Sequence, residues 1–517
     1  MTTDAAHPVA VPGLRRNMVT ICAMTATIMQ ALDTTIANVA LPYMQGSLSA
    51  SQDQINWVLT SYIVAVAIMT APVGWVANRF GRKRIFILCS AGFTVASVMC
   101  GLAQDITQMV LFRLLQGVFG AALVPLSQAV MLDSYALHER AKAMAIWGMG
   151  VMMGPIMGPS LGAWLTETYS WHWVFFVNLP FGIVTVAGLL IFMDETKLNT
   201  GLQFDWFGFT ALAVGIGALQ LALDRGEQLD WLESWEIKIE FIAAAVGFYY
   251  FFAHSFTTKR PFVQFAIFKD RNFATALIFM VVIGVVLFST MALASPLFQN
   301  AYGYPILTAG LLLATRGGGT FVAMMLVSRL MNWFEARTLI ATGLSLIAVT
   351  LYEMTGWTAD VPVQTIVINS IIQGFGLGLV FVPLSTAAFM TLPNHLRTDG
   401  TAMLTLVRNV ASSIGISIVI AQLTRGTTRV HAVLAEHINP FNNALQMPNV
   451  TSTINLHTDV GLAMMNVIVS AQAQIIAFSQ DFELVALVTI CAIPLVLILK
   501  STKEAMRAPS DHAAVME

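Results

Sequence analysis

Fourteen apolar stretches dominate this chain, near residues 19–41, 56–77, 85–103, 108–131, 142–165, 174–193, 205–223, 239–256, 273–298, 306–327, 338–357, 363–389, 401–422 and 482–499. A bilayer core of about 30 Å is crossed by a helix of about 20 apolar residues, so each stretch is long enough to span a membrane. Of the 517 residues, 57% are hydrophobic and only 10% charged. A soluble surface usually draws on about a quarter charged residues, so most of this surface faces lipid. The expected fold is an all-α integral membrane protein. Arg15 and Arg16 precede the first stretch as in a signal peptide, but the apolar core runs past any short h-region and is expected to be retained.

Charge placement orients the spans. If the N-terminus is cytoplasmic, only Arg225, Lys238, Arg425 and Arg429 fall on outer segments, and Arg113, Arg316 and Arg408 fall within spans. All other Lys and Arg residues then lie on cytoplasmic segments, the bias expected of a multi-pass protein. One miscounted span would scramble the alternation, so it supports both the count and two cytoplasmic termini.

The chain also repeats itself. Gly74 to Phe80 is echoed by Ser328 to Phe334 at an offset of 254, and Gln116-Gly117 by Gln373-Gly374 at an offset of 257. Two six-helix halves with two inserted helices would produce such offsets, and parallel repeats place a substrate site at their interface. The expected organisation is a tail 1–18, a first half 19–196, inserted helices 197–258, a second half 259–503 and a tail 504–517.

Within the fifth stretch, Gly150, Gly154, Gly158 and Gly162 recur every fourth residue, with Pro155 and Pro159 between them. Glycines at this spacing share one slowly drifting helix face and let another backbone approach closely, while each proline frees a carbonyl. The pattern resembles the antiporter motif, G-x-x-x-G-P-x-x-G-G, of drug/proton exchangers in the major facilitator superfamily. Further motifs carry the resemblance. Leu32 to Pro42 looks like the first-helix L-D-x-T-I-V-N-V-A-L-P pattern of the fourteen-helix EmrB/QacA type. Gly74 to Arg84 resembles that family's loop between helices two and three, Arg113 to Gly117 its R-x-x-Q-G motif, and Trp171 to Pro180 its W-R-W-x-F-x-x-N-x-P segment. The second half matches more loosely, around Arg316 and from Arg408 to Gly415. Two positions depart from the pattern: Asn78 stands where the loop motif has aspartate, and His172 where arginine lies between the tryptophans.

The resemblance implies a major facilitator fold with fourteen transmembrane helices, exporting drugs against an inward flow of protons. The residues point the same way. Charges inside a membrane normally face a cavity and mark function. Gln30, Asp33, Thr34 and Asn38 share one helical stripe, read as facing a water-filled cavity. Asp33 and Arg113 lie at similar depths, roughly 12 to 14 Å from the outer ends of their helices, so they can meet. An aspartate that alternately binds a proton and releases it, beside an arginine, is a minimal exchange device. Gln116, Arg316, Gln373 and Arg408 are further cavity candidates. Gly74, Asn78, Arg79, Gly81 and Arg82 form the candidate gate, with Arg82 expected to reach Asp133.

Other chemistry is not indicated. Cys22, Cys89, Cys100 and Cys491 lie in apolar runs without metal-ligand spacing, the nine histidines form no ligand motif, and Gly317 to Gly319 is not followed by the Lys of a phosphate-binding loop. No cofactor, metal, nucleic-acid partner or enzymatic activity is expected. An ATP-driven pump would need a soluble domain for which no loop is large enough, leaving an ion gradient as the energy source. Residues 424–478 form the one long outer connection, with an amphipathic membrane-surface helix expected over 460–478. In pumps resembling EmrB the outer face meets a periplasmic adaptor that leads to an outer-membrane channel, so this segment reads as either a docking element or a lid. Expected partners are hydrophobic, often cationic, drugs, protons and the bilayer of a bacterial inner membrane. A metabolite or siderophore exporter of the same fold, a symporter, and a membrane receptor or enzyme are the rival readings.

Overall fold

The apolar stretches fold as helices, as they must where no water is present to satisfy backbone N–H and C=O groups. The computed structural model describes residues 13–136, 139–196, 201, 203–258, 261–393, 396–439, 442–447 and 458–499. Residues 1–12 of the expected first tail, the tail 504–517, and Lys197, Lys259 and Arg260 lie outside them. Within the described residues the first helix already starts at Gly13, inside the expected tail.

The first six helices are α1 (Gly13–Ser47), α2 (Gln52–Thr70 and Val73–Phe80), α3 (Arg82–Gly101), α4 (Ile106–Gly120 and Leu123–Ser134), α5 (Arg140–Thr168) and α6 (Trp173–Phe192). Next come α7 (Trp206–Arg225) and α8 (Trp235–Thr257). The last six are α9 (Arg271–Pro296, extended by a π-turn Leu297–Ala301), α10 (Ile306–Trp333), α11 (Ala336–Thr355), α12 (Val363–Ala388), α13 (Arg397–Ala435) and α14 (Asp459–Ala492, extended by Ile493–Ile498). Thirteen are long and apolar enough to cross a membrane, and α2, bent by 57° at its break, makes a fourteenth. The break falls at Pro72, which has no N–H to continue the ladder.

Packing sorts the helices into two groups. α1 lies against α5 and α6, and α4 against α2 and α3; in the second group α9 lies against α13, α12 against α10 and α11, and α14 against α11 and α13. The groups meet where α5 runs along α10 and where the short piece of α2 and the end of α4 reach α13. α7 and α8 pair with each other, and α7 also touches α2 and α13. Arg15, Arg82, Arg140 and Arg397, at the starts of α1, α3, α5 and α13, gather at one end of the bundle, called here the basic end. The turn into α3 needs Gly81, whose φ of 97° most side chains avoid. The Glu195 carboxylate then accepts the N–H groups of Lys83 (3.2 Å) and Arg84 (3.3 Å), a negative charge at a helix N-terminus.

The largest departure from the sequence reading is at residues 424–478. Among the described residues, 460–478 form no separate surface helix. α13 continues to Ala435 and α14 begins at Asp459, leaving only 436–458 as connection. A helix of 39 residues is about 58 Å long, roughly twice a bilayer core. The buried seam of the helical hairpin is a different face from the expected stripe: Gly461, Met465, Val469, Ala473 and Ala477 repeat every four residues on the buried side of α14, whereas Leu462, Met464, Ile468 and Ile476 are exposed. His431 Nε2 meets Asn466 Oδ1 at 3.0 Å, and Gly426 lies on Ala477. Val460 and Val467 stay exposed.

Candidate functional site

Asp33 on α1 and Arg113 on α4 meet inside the first group. Arg113 Nη1 lies 2.7 Å from Asp33 Oδ2, and both residues are fully buried. Arg113 and Gln116 are one helical turn apart and so share a face of α4. Gln116 Nε2 donates to Asp33 Oδ1 at 2.8 Å, and Asn178 Nδ2 on α6 donates to the same oxygen at 3.2 Å. Arg113 Nη1 also donates to Gln116 Oε1 (2.8 Å) and its Nε to the Val58 carbonyl (3.1 Å), while its guanidinium lies 4.2 Å from the Tyr62 ring centroid. Ser97 Oγ accepts from Asn178 at 3.0 Å and donates to the Phe175 carbonyl at 2.8 Å. Several helices thus converge on one carboxylate. A buried ion pair is tolerable when its remaining donors and acceptors are met in this way, and breaking one costs about 3–5 kcal/mol.

In this conformation Asp33 and Gln116, read from the sequence as facing a cavity, are fully buried, and Gln116 is a hydrogen-bond partner of Asp33. Gln30 is half-buried with Nε2 3.5 Å from Tyr62 Oη, Thr34 returns its hydroxyl to the Gln30 carbonyl at 2.9 Å, and Asn38 is exposed. The stripe is real as a helix face, but its members enter different surroundings because α4 and α6 cover only its middle.

At the basic end, Asp133 on α4 receives Arg82 of α3 through one oxygen and Arg397 of α13 through the other, the latter at 2.8 Å. One carboxylate therefore ties the two groups. Gly74 lies directly against Asp399 of α13, with no room for a side chain, and Arg140 Nη1 donates to the Phe389 carbonyl at 3.2 Å. Asn78 is half-buried, and it and Arg79 sit on the short piece of α2. If this end is a gate, Asp133→Asn releases two charged contacts and shifts the population by about 1–3 kcal/mol. Labelling of a cysteine placed just inside the basic end should then speed up roughly tenfold or more; an unchanged rate would mean that the contact is not a lock.

The glycine ridge of α5 packs on α1, the helix of Asp33. Gly150 faces Met24 and Thr27, Gly154 faces the backbone of Ala31, Gly158 faces Thr35 and Ile36, and Gly162 faces Ile36 and Val39. Thr35 Oγ1 donates to the Gly154 carbonyl at 3.0 Å. Pro155 continues α5 between Gly154 and Gly158. The other side of α5 bears on the second group: Gly148 faces Met324 and Phe381, and Ile156 fills the space over Gly317. One helix thus touches the Asp33 helix on one face and α10 on the other.

Arg316 on α10 and Gln373 on α12 are buried in the second group, and Arg408 on α13 is half-buried. Arg316 Nη1 donates to Thr290 Oγ1 at 2.8 Å. Sequence reasoning does not reach the roles of Tyr62, Ser97 and Arg397, nor Asp481, which lies one residue before the expected span 482–499. Asp481 is fully buried on α14 with neither carboxylate oxygen hydrogen-bonded among the described residues. Its place between Phe478 and Phe482 was the available signal. His172 stacks on Trp171, with centroids 3.8 Å apart, and burial pushes its pKa below the usual value, so it does not supply the fixed charge of an arginine there.

Comparison with known proteins is consistent across sequence and fold. The family model described as Major Facilitator Superfamily matches residues 23–416. The chain is 34% identical over 489 residues to the fatty acid resistance protein FarB of Neisseria gonorrhoeae, covering 93% of this chain and 96% of that one. It is 34% identical over 436 residues to the multidrug export protein EmrB of Escherichia coli (strain K12), covering 83% and 84%. Its fold is similar to that of the human organic anion transporter MFSD10, with a TM-score of 0.57 at 14% identity, over 92% of this chain and all of that one.

Proposed function

The chain belongs to the major facilitator superfamily, as a multi-pass membrane transporter of the EmrB type that exports drugs, and from that premise we propose that export is driven by protons through Asp33. The observation that carries this reading is the connection Asp33–α1–glycine ridge–α5–α10. Protonation of Asp33 removes one partner of the buried pair with Arg113. The released donors then repack, and α1 shifts against a ridge that tolerates only close contact. Because α5 bears on α10, that shift alters the contact between the two groups, which is what alternating access requires. The sequence bias of Lys and Arg supports a cytoplasmic basic end and cytoplasmic termini. The names of EmrB and FarB support an apolar, toxic cargo. In vesicles with the basic end outward, an imposed gradient with protons concentrated in the lumen should drive a fluorescent apolar cargo inward, and collapsing the gradient should stop it. Uptake that ignores the gradient would exclude proton coupling.

The hairpin of α13 and α14 is the proposed docking element for a periplasmic adaptor leading to an outer-membrane channel. Shortening both helices by matched turns, to remove residues 428–466, should abolish resistance in cells with an outer membrane while leaving vesicle transport within about twofold. Equal loss in both settings would make the hairpin part of the substrate path, and equal retention would make it a tether.

A further inference from the structure

Arg113 is held by α2 as well as by Asp33. Val58 and Tyr62 stand four residues apart, so they share a face of α2, and both reach the guanidinium. The Val58 carbonyl accepts Nε at 3.1 Å, and the Tyr62 ring centroid lies 4.2 Å from Cζ. A second ring, that of Phe175 on α6, has its centroid 5.6 Å away. Both aromatic residues are buried, Tyr62 with 2% of its surface exposed and Phe175 with none. The Tyr62 ring is fixed by contacts of its own. Gly117, next to Gln116 on α4, is pressed so closely on the Tyr62 carbonyl that a side chain has no room there. The Tyr62 hydroxyl lies over Gly120 and accepts from Gln30 Nε2 at 3.5 Å.

These contacts matter most when Asp33 is neutral. With the carboxylate ionised, the guanidinium has a full counter-charge 2.7 Å away. With a proton on that oxygen, Arg113 Nη1 faces a hydroxyl. Its remaining partners are then the side-chain oxygen of Gln116, the Val58 carbonyl and the negative faces of the two rings. A cation left alone in a dry site is costly, and a desolvated cation–π contact is worth roughly ten- to thirtyfold in an equilibrium constant. That stabilisation falls mainly on the state in which the counter-charge is gone, so it favours Asp33 carrying the proton. Because Val58, Tyr62 and Gln116 keep the guanidinium on α2 and α4, it is α1 that the proton sets free.

We propose that Tyr62 is the positioning residue that sets how tightly Asp33 holds its proton, by keeping the Arg113 guanidinium in place while the carboxylate is neutral. The proposal rests on the reading of Asp33 as the proton carrier, and it assigns the tuning of that acid to an aromatic face on a different helix.

A ring of constant size and falling electron density tests it. Tyr62→Phe is the reference, and phenylalanines bearing one, two and three fluorines at the same position draw charge from the ring face step by step. Substrate-induced proton release is measured against pH on the purified full chain. Tyr62→Phe keeps the face and should hold the wild-type midpoint to within about half a pH unit. Each added fluorine should move the midpoint further to acid, by roughly one unit over the series, a tenfold loss of proton affinity. Tyr62→Leu should show the full shift together with a lower melting temperature, and if it does not fold the fluorinated series still decides. A purely packing role would leave the midpoint constant along the series, because the ring keeps its shape, and that result overturns the proposal. So does a midpoint that moves in Tyr62→Phe and then stays put, which would assign the effect to the hydroxyl. A wild type that releases protons, with no trend across the fluorines, sinks only this proposal; a wild type that releases none at any pH sinks the Asp33 reading as well.

Discussion

Replacing Asp33 by asparagine is expected to abolish substrate-induced proton release and to lower gradient-driven transport by two orders of magnitude or more. Asparagine keeps the size of the side chain and one acceptor for Gln116 and Asn178, but it has no proton to exchange. It also leaves Arg113 buried without its counter-charge, 2.7 Å from where Asp33 Oδ2 lay. Removing one member of a buried pair costs about 3–5 kcal/mol, so the variant should unfold at lower temperature than the wild type. That loss separates two explanations. Arg113→Gln in the same background removes the stranded charge and should restore stability without restoring proton release. Proton release at the wild-type level in Asp33→Asn would take Asp33 out of the mechanism, and recovery of release in the double variant would reduce its role to packing.

Gly154→Leu is expected to have an effect of similar size by a different route. A side chain there would enter the backbone of Ala31 on α1, and the Thr35 hydroxyl would lose its short approach to the Gly154 carbonyl. Inserting bulk at a well-packed contact costs typically about 1–3 kcal/mol, and more where backbone and not a flexible side chain must move. The prediction is an inserted protein that no longer alternates, seen as cysteine labelling confined to one mouth of the cavity whatever the substrate or pH. Gly154→Ala should show a weaker form of the same defect. Labelling that still switches between mouths in Gly154→Leu would mean that the α1–α5 contact plays no part in alternation.

Much of the helical architecture was legible in the chain because lipid imposes a single rule on the backbone, and the rule leaves its mark on length and composition. The cluster was only half legible. Asp33, Arg113 and Gln116 stand out as polar residues in apolar helices, and the turn spacing puts the last two on one face. Asn178 and Ser97 approach Asp33 from helices far along the chain, and nothing in their local sequence states that distance. The hairpin was misread for a related reason. The buried seam of α14 before residue 478 includes the small residues Gly461, Ala473 and Ala477, while larger apolar residues such as Leu462, Met464 and Ile468 are exposed, so the strongest apolar signal lay on the other face.

The sequence by itself determined the approximate number and position of the apolar spans and which residues carry charge into the membrane, because each follows from local hydrophobicity and spacing, but not how far the helices run past them. Only the tertiary structure decided where those charges went. Arg113 and Arg316 look equivalent as intramembrane arginines, yet one closes on Asp33 while the other meets the Thr290 hydroxyl and keeps a buried, unpartnered Nε. The difference depends on which helix crosses which at a given depth. A contact between residues 80 positions apart depends on the packing of the whole group and not on the preferences of either segment.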